Sequence, residues 1–311
     1  MPVCDLINYI QAAYSMRSVL LVLFIAILLP IATVAHAQYP RGTVQEGLTI
    51  DSKILGKSVR YTIYLPYDYD TSDRYYPVVY LLHGYSDDDT GWLQFGEANA
   101  ITDELIAERK IPPMILVMPD AGVSWYVNNY DGSVRYEDFF FQEFIPYVES
   151  HYRIRAEKQF RAVSGLSMGG YGTLVYALHH PEMFATAAPF SAAIWTDEEI
   201  VNFPEDQWTN YFRTVFDPKL QGQARLSPHY RANSPLDLIR QMGADEVKQV
   251  RWRIDCGDDD FLYKGNAALH VLMRDLNIPH EYRVRDGGHT WTYWRTGLPG
   301  ALEFIGAGFR R

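Results

Sequence analysis

The amino-acid sequence predicts an α/β fold in which a mostly parallel central sheet is covered by helices on both faces. Short apolar runs, rich in β-branched and aromatic residues, alternate with longer amphipathic segments from residue 44 onward. Several of the runs are continuously apolar, as strands buried on both faces are. Of the 311 residues, 48% are hydrophobic and 21% are charged, which is typical of a globular protein with a large core.

The first two strands differ from the others. Residues 44–50 and 59–66 alternate in polarity and lie close together in the chain, which predicts an antiparallel pair at the edge of the sheet. Buried parallel strands and amphipathic helices follow. The predicted strands cover residues 77–84, 114–120, 160–167, 184–193, 250–257 and 280–286, and the predicted helices cover residues 99–109, 136–152, 168–180, 263–276 and a last stretch that ends at residue 309.

Residues 195–246 interrupt this alternation. Their periodicity weakens while aromatic side chains accumulate, and long segments of this kind often cover a functional site. We expect a cap-like insertion over the carboxyl edge of the sheet, with a plain peripheral insertion as the alternative. We find no repeat or linker, so a single domain over residues 38–311 is predicted.

The N-terminal segment predicts export. Residues 19–34 are almost uninterruptedly apolar, follow an arginine and end near the small residues Ala35 and Ala37. This is the pattern of a secretory signal peptide that is cleaved before Gln38, and the run is too short to span a bilayer comfortably. We therefore expect residues 1–37 to be removed. The remaining protein is predicted to be secreted or periplasmic, without stable membrane association.

Charge and cysteine content narrow the possible partners. The formal net charge is −10, which disfavours nucleic acid and anionic membranes. Cys4 falls in the predicted signal peptide, so Cys256 stands alone and no intramolecular disulfide is expected. The acidic run at residues 87–89 is expected to be a solvated loop, since three adjacent carboxylates are a poor ligand set for a metal. We expect neither a metal nor an organic cofactor.

A catalytic motif lies at the junction of a predicted strand and a predicted helix. Gly165, Ser167 and Gly169 form the pattern GxSxG. In this pattern a serine on a tight strand-to-helix turn projects its hydroxyl above the sheet of an α/β-hydrolase. A serine hydroxyl is a weak nucleophile, so it needs a neighbouring base and an acid that orients the base.

Chain order selects the partners of Ser167, because in this fold the acid follows the nucleophile and the histidine comes last, each in a loop after a strand. His289 follows the last predicted strand in a Gly-Gly-His loop, which makes it the candidate base. The acid is expected to be Asp258, Asp259 or Asp260, which follow the preceding strand.

The fold also predicts two backbone N–H groups that stabilise the oxyanion of an ester-cleaving reaction. One belongs to the residue after the nucleophile, and the other lies in the loop after the third strand. Met168 and Tyr85 occupy these two positions.

Five sequence blocks resemble the esterase D and tributyrin or feruloyl esterase family, which is related to the mycolyltransferases and enterochelin esterases. In order they are LLHGYSDDDTGW, MPDAGVSWYVN, GLSMGGYGTL, CGDDDFLYKGN and GGHTWTYWR. The resemblance spans nearly all of the chain after the predicted signal peptide. It implies acyl-enzyme chemistry on an α/β-hydrolase fold and matches the catalytic aspartate of the family to Asp260. It also implies that Asp120, Trp125 and Tyr126 border the substrate cleft.

The sequence therefore predicts a secreted serine carboxylic-ester hydrolase. Aromatic-rich loops favour carbohydrate-linked feruloyl or acetyl esters, or short acyl esters, as substrates. An acyltransferase is the nearest alternative, because a sugar hydroxyl can replace water in deacylation without any change of catalytic residues. A carbohydrate-binding protein on a disabled hydrolase scaffold is an alternative from another class.

Overall fold

A computed structural model describes residues 39–212 and 215–310. Within these residues, eight strands form one sheet in the order β1-β2-β4-β3-β5-β6-β7-β8. The strands are β1 (Thr43–Ser52), β2 (Lys57–Leu65), β3 (Val78–Leu82), β4 (Ile115–Pro119), β5 (Arg161–Leu166), β6 (Thr186–Phe190), β7 (Arg251–Gly257) and β8 (His280–Arg285).

The pairing directions confirm the predicted sheet. Strands β1 and β2 pair antiparallel at one edge, and β2 pairs antiparallel with β4. The pairs from β4 through β3, β5, β6 and β7 to β8 are all parallel. Strands β3 to β6 consist entirely of buried residues, because helices cover them on both faces.

The five predicted helices lie close to their predicted positions, and 3-10 turns occupy Tyr69–Thr71, Lys158–Phe160 and Gly222–Arg225. The helices are α1 (Gly91–Gln94), α2 (Ala98–Ala107), α3 (Tyr136–Phe139, the π-helical turn Phe140–Phe144, and Ile145–His151), α4 (Met168–His179), α5 (Asp197–Val201), α6 (Glu205–Phe212), α7 (Pro228–Ala232), α8 (Pro235–Met242), α9 (Ala244–Val247), α10 (Tyr263–Asp275) and α11 (Trp291–Phe309).

Successive side chains of the central strands pack in two different layers. Val79 and Leu81 belong to the core formed with α2 and α11, whereas Tyr80 and Leu82 belong to the core formed with α3, α4 and α10. All four side chains are fully buried. The alternation follows from the two-residue period of a strand, and burial of each such side chain contributes about 2 kcal/mol.

The described part of residues 195–246 contains the five short helices α5 to α9. Helix α8 contacts α4 and α10. Thr196, Ser227 and Ser234 cap α5, α7 and α8 by accepting backbone N–H groups. The rings of Trp208, Phe212 and Phe216 pack together within the segment. The segment therefore packs on the α4 side of the sheet, while its action as a cap stays a prediction.

The predicted signal peptide, residues 1–37, lies outside the described residues. Among the residues that are described, no helix is both long and apolar enough to cross a membrane. Cys256 is buried and carries a free thiol.

Candidate active site

Ser167 lies in a strained turn between β5 and α4, with φ 54° and ψ −115°, a conformation that is costly for a residue with a Cβ atom. Its glycine neighbours make the turn possible. A Cβ atom on Gly165 would lie 2.5 Å from the carbonyl oxygen of Gly169, and one on Gly169 would lie 2.4 Å from the carbonyl oxygen of Leu82. Both distances are far below van der Waals contact, so the GxSxG pattern is a steric requirement here.

Backbone hydrogen bonds hold this turn in place. The N–H of Ser167 donates to the carbonyl of Phe190 at 3.0 Å. The Ser167 carbonyl accepts the N–H groups of Tyr171 and Ala193, both at 2.9 Å. The backbone of Ser167 is thereby tied to β6 and α4, and its hydroxyl is left at the partly exposed surface.

A continuous chain of contacts joins Ser167, His289 and Asp260. The Ser167 Oγ atom lies 2.9 Å from His289 Nε2. The other ring nitrogen, Nδ1, lies 2.9 Å from Asp260 Oδ2 and 3.1 Å from Oδ1. The loops after β5, β7 and β8 thus bring together three residues that are far apart in the chain, at the carboxyl ends of parallel strands.

Asp260 differs from its two acidic neighbours, Asp258 and Asp259, in being buried. Asp258 and Asp259 are exposed, and the Asp258 carboxylate accepts the N–H groups of Asp259 and Gly287. Together with Asp286 they form an exposed group whose carboxylates lie within 4.8 Å of one another. Asp260 is the acid that faces His289.

The Asp260 carboxylate is held in its charged form. Burial alone would raise its pKa, but the hydrogen bond and charge of His289, the N–H of Leu262 at 2.9 Å and the hydroxyl of Ser191 outweigh burial and lower the pKa. A buried carboxylate with several donors is stable as the anion. It can therefore accept a hydrogen bond from the Nδ1–H of His289 throughout the neutral range.

Two aromatic rings flank the His289 imidazole. Phe261 lies 4.6 Å from it, centroid to centroid, although 65% of Phe261 is exposed. Trp294 is buried and meets the imidazole edge-on at 4.8 Å and 90°. One side of His289 thus rests on the core, and the other lies beside an aromatic side chain that faces solvent.

The predicted oxyanion donors lie on both sides of the Ser167 turn. Met168 is the first residue of α4, where a backbone N–H has no acceptor inside the helix. Tyr85 follows Gly84, and a Cβ atom built on Gly84 would lie 3.6 Å from the Cβ of Ser167. The loop after β3 therefore runs directly alongside the serine.

His83 supports that loop, a role that the sequence analysis did not assign. The N–H of Ala121 donates to its Nε2 atom at 2.8 Å, so the ring proton is on Nδ1, which contacts the Gly84 carbonyl at 2.7 Å. Burial lowers the pKa of His83 and favours this neutral form. The His-Gly pair after an apolar strand was the available signal.

The three residues predicted to border the substrate cleft have structural partners. The Asp120 carboxylate pairs with Arg60 at 3.0 Å. Trp125 is buried and donates its Nε1–H to the Tyr211 carbonyl at 2.9 Å. Tyr126 is fully buried and donates its hydroxyl proton to the carbonyl of His83 at 3.0 Å. Trp125 and Tyr126 are thus buried side chains that support surrounding loops, and the role of all three residues at the substrate cleft stays a prediction.

The expectation of a solvated acidic loop at residues 87–89 is wrong for Asp89. This side chain is buried, accepts the Thr62 hydroxyl at 2.7 Å and lies 3.5 Å from the Arg60 guanidinium. The loop folds back onto β2, and a pairing of this kind across the sheet cannot be read from local sequence.

A groove opens next to the oxyanion loop. It has a volume of about 750 Å³ and is lined by Tyr85, Gln207, Thr209, Asn210 and Tyr211. The Tyr85 hydroxyl donates to the Asn210 carbonyl at 2.9 Å, and the rings of Tyr85 and Tyr211 lie 5.7 Å apart. Helix α6 of the 195–246 segment therefore forms one wall beside the loop that follows β3.

The sheet order and the strained serine turn are those of the α/β-hydrolases, the class to which this fold belongs. Residues 52–305 match the family described as "Putative esterase". The chain belongs to this family and has the α/β-hydrolase fold.

Individual relatives agree with the family. An esterase of Mycobacterium tuberculosis (strain H37Rv) is 31% identical over 252 residues, which cover 74% of this chain and 52% of that protein. An endo-1,4-beta-xylanase/feruloyl esterase of Xylanibacter ruminicola is 36% identical over 166 residues, 51% of this chain and 23% of that protein. This chain thus spans about half or less of the length of these two relatives.

A solved structure is similar over most of the chain. It is a ferulic acid esterase, 33% identical, that superposes with a TM-score of 0.74 over 86% of this chain and 99% of its own length. These relatives confirm the resemblance to feruloyl esterases.

Proposed function

We propose that this chain is a serine carboxylic-ester hydrolase whose catalytic triad is Ser167, His289 and Asp260. One observation carries the proposal: each ring nitrogen of His289 lies 2.9 Å from its partner, the Ser167 hydroxyl on one side and the Asp260 carboxylate on the other. This is the arrangement that a serine nucleophile needs.

In the proposed reaction, Ser167 Oγ attacks the ester carbonyl carbon while His289 Nε2 takes the hydroxyl proton. The Asp260 carboxylate accepts a hydrogen bond from the Nδ1–H of His289 and stabilises the imidazolium. The N–H groups of Tyr85 and Met168 donate to the oxyanion. The intermediate then collapses, the alcohol leaves with the proton from His289, and water releases the acyl group by the same steps. This scheme uses no metal and no cofactor.

We assign the substrate as a carbohydrate-linked feruloyl or acetyl ester, or a short acyl ester. The exposed ring of Phe261 beside His289 and the groove with Tyr85 and Tyr211 offer aromatic surfaces on which an acyl ring or a sugar can stack. Similar proteins named as feruloyl esterases support the same substrate class. The apolar segment at residues 19–34 supports export of the enzyme, so the substrate is an extracytoplasmic ester.

The test compares Ser167→Ala with the unchanged protein on p-nitrophenyl acetate and on methyl ferulate. We expect kcat to fall by about 10⁴-fold or more on both esters, since no other group can form the acyl-enzyme. The matched control is Ser164→Ala, because the Ser164 hydroxyl is also buried near the turn but donates only to the Ala188 carbonyl. Retained turnover by Ser167→Ala would rule out this nucleophile.

A further inference from the structure

Strand β8, which leads into the loop with His289, is held less by burial than the other strands of the site. Every residue of β5 and six of the seven residues of β7 are buried, whereas no residue of β8 is. Within the described residues, β8 lies at the edge of the sheet and pairs with β7 alone. Core packing therefore contributes little to the position of this strand, and the position of its end depends on polar contacts.

A buried carboxylate meets the end of β8. Asp255 of β7 is fully buried, and its Oδ1 atom accepts a hydrogen bond from Nη2 of Arg285, the last residue of β8, at 3.1 Å. The same oxygen accepts the Tyr293 hydroxyl at 2.6 Å. Burial and the hydrogen bond to Asp255 raise the pKa of Tyr293, so its hydroxyl keeps the proton that it donates. One oxygen atom of β7 thus binds residues on both sides of the loop at residues 286–290, which carries His289.

Arg285 also contacts α11 directly. Its Nη2 atom donates to the Tyr293 carbonyl at 3.2 Å, and its Nη1 atom donates to the Thr296 hydroxyl at 3.2 Å. The guanidinium lies over the Tyr293 ring, 4.0 Å from the ring centroid. A Cβ atom on Gly297 would lie 2.3 Å from Nη2, which shows how closely the guanidinium lies against the helix. Arg285 therefore joins the end of β8 to the first turns of α11.

The loop between these two elements has little room to move. A Cβ atom on Gly287 would lie 2.9 Å from the Tyr293 ring, and one on Gly257 would lie 1.9 Å from the Gly287 carbonyl oxygen. His289 follows two residues after Gly287, with its Nε2 atom 2.9 Å from Ser167 Oγ. A shift of β8 relative to α11 would therefore displace the imidazole from the serine.

We propose that Arg285 is a positioning residue that fixes the loop of His289 relative to Ser167. It does so through two anchors, Asp255 in β7 and Tyr293 in α11. The inference rests on the proposed function of the triad. Arg285 acts through His289 and takes no part in bond making or breaking. Its effect on the rate can still be large, because a displacement of a catalytic group by about 1 Å can cost about 10²-fold.

The test uses Arg285→Met, Arg285→Lys and Tyr293→Phe in the full chain, assayed on p-nitrophenyl acetate. Arg285→Met removes the guanidinium and should lower kcat about 10- to 100-fold, with KM changed less than about twofold. Arg285→Lys keeps a positive charge beside Asp255 but lacks the planar fork of donors, so it should recover part of the loss. Tyr293→Phe keeps the ring and removes one hydrogen bond, so it should lower kcat by about three- to tenfold.

Two controls separate positioning from loss of folded protein. Labelling of each variant by a fluorophosphonate should still reach one group per chain, but at a lower rate, because the fold is intact and only the base is displaced. Arg253→Met removes the other guanidinium that pairs with Asp255, at 2.9 Å. Arg253 approaches α11 at Gly300, away from the loop of His289. This control variant should therefore lower Tm and keep kcat within about twofold.

A double variant measures whether Arg285 acts through His289. In a His289→Ala background, Arg285→Met should cause less than about a twofold further loss of kcat/KM, because no imidazole is left to position. A full additional loss there, an unchanged kcat in Arg285→Met, an equal loss of kcat in Arg253→Met, or incomplete labelling that accounts for the lost activity would overturn the inference. Retained turnover by Ser167→Ala would instead refute the triad itself.

Discussion

At the scale of single residues, the site depends on which side chains are buried and which are not. Asp258, Asp259 and Asp260 are consecutive, yet the structure buries only Asp260 and directs it at His289. The GxSxG motif and the chain order predicted Ser167 and His289. Three adjacent aspartates are equivalent by position, so Asp260 was singled out only by the family resemblance. His83 was missed because one of its partners, the N–H of Ala121, lies 38 positions away in the loop after β4.

The three consecutive aspartates allow a prediction for Asp260 in which Asp258 and Asp259 serve as controls. Asp260→Asn should reduce kcat/KM by about 10³ to 10⁴-fold, because the amide cannot stabilise the imidazolium and favours the wrong tautomer of His289. Asp258→Asn and Asp259→Asn remove the same charge at exposed positions. The kcat/KM of each should stay within about twofold of that of the unchanged protein. The measurement is hydrolysis of p-nitrophenyl acetate. A larger loss in either control than in Asp260→Asn would contradict the assignment.

At the scale of elements, continuous apolar runs predicted the strands well because the central strands are buried on both faces. The antiparallel edge pair followed from alternation and proximity. The π-helical turn Phe140–Phe144 within α3 was not predicted, since helical spacing of aromatic residues is nearly the same with and without it. The helices at 197–247 were also missed. Side-chain caps begin α5, α7 and α8, and the five helices are too short to show a clear hydrophobic period.

A charged contact ties three of these helices together. His179 at the end of α4 lies 2.7 Å from the Glu137 carboxylate of α3 through Nδ1, and 2.8 Å from the Ala232 carbonyl of α7 through Nε2. Both nitrogens face acceptors, which favours the imidazolium. Burial lowers the pKa of His179, but Glu137 and the Ala232 carbonyl outweigh it, so the pKa is raised.

This contact should make stability depend on pH in a defined direction. A raised folded-state pKa contributes stability that is fully present below the ordinary histidine pKa of about 6.5 and is lost as the pH rises through the folded-state pKa. His179→Gln should therefore lower the free energy of unfolding by about 2 kcal/mol at pH 6 and by less at pH 9. Urea unfolding at pH 6 and pH 9 measures this free energy. The effect of His179→Gln is also measured in a Glu137→Gln background, where its dependence on pH should be smaller. An equal loss at both pH values would contradict the prediction.

At the scale of the whole molecule, the parallel sheet assembles the site. The carboxyl ends of β3, β5, β7 and β8 point to one edge, so the residues that follow them meet there. Ser167 and His289 touch although 122 positions separate them. The fold class could be predicted from sequence because strand and helix patterns are local. The groove beside Tyr85 could not, because it depends on where the 195–246 segment docks.

The central claim is that Ser167 carries the acyl group during turnover. Intact-mass spectrometry of the protein, quenched in acid within its first turnovers on a slowly deacylated p-nitrophenyl ester, measures this most directly. We expect a mass increase of one acyl group that maps by proteolysis to the peptide with Ser167 and is absent in Ser167→Ala. An acyl group on another residue, or the same adduct in Ser167→Ala, would contradict it.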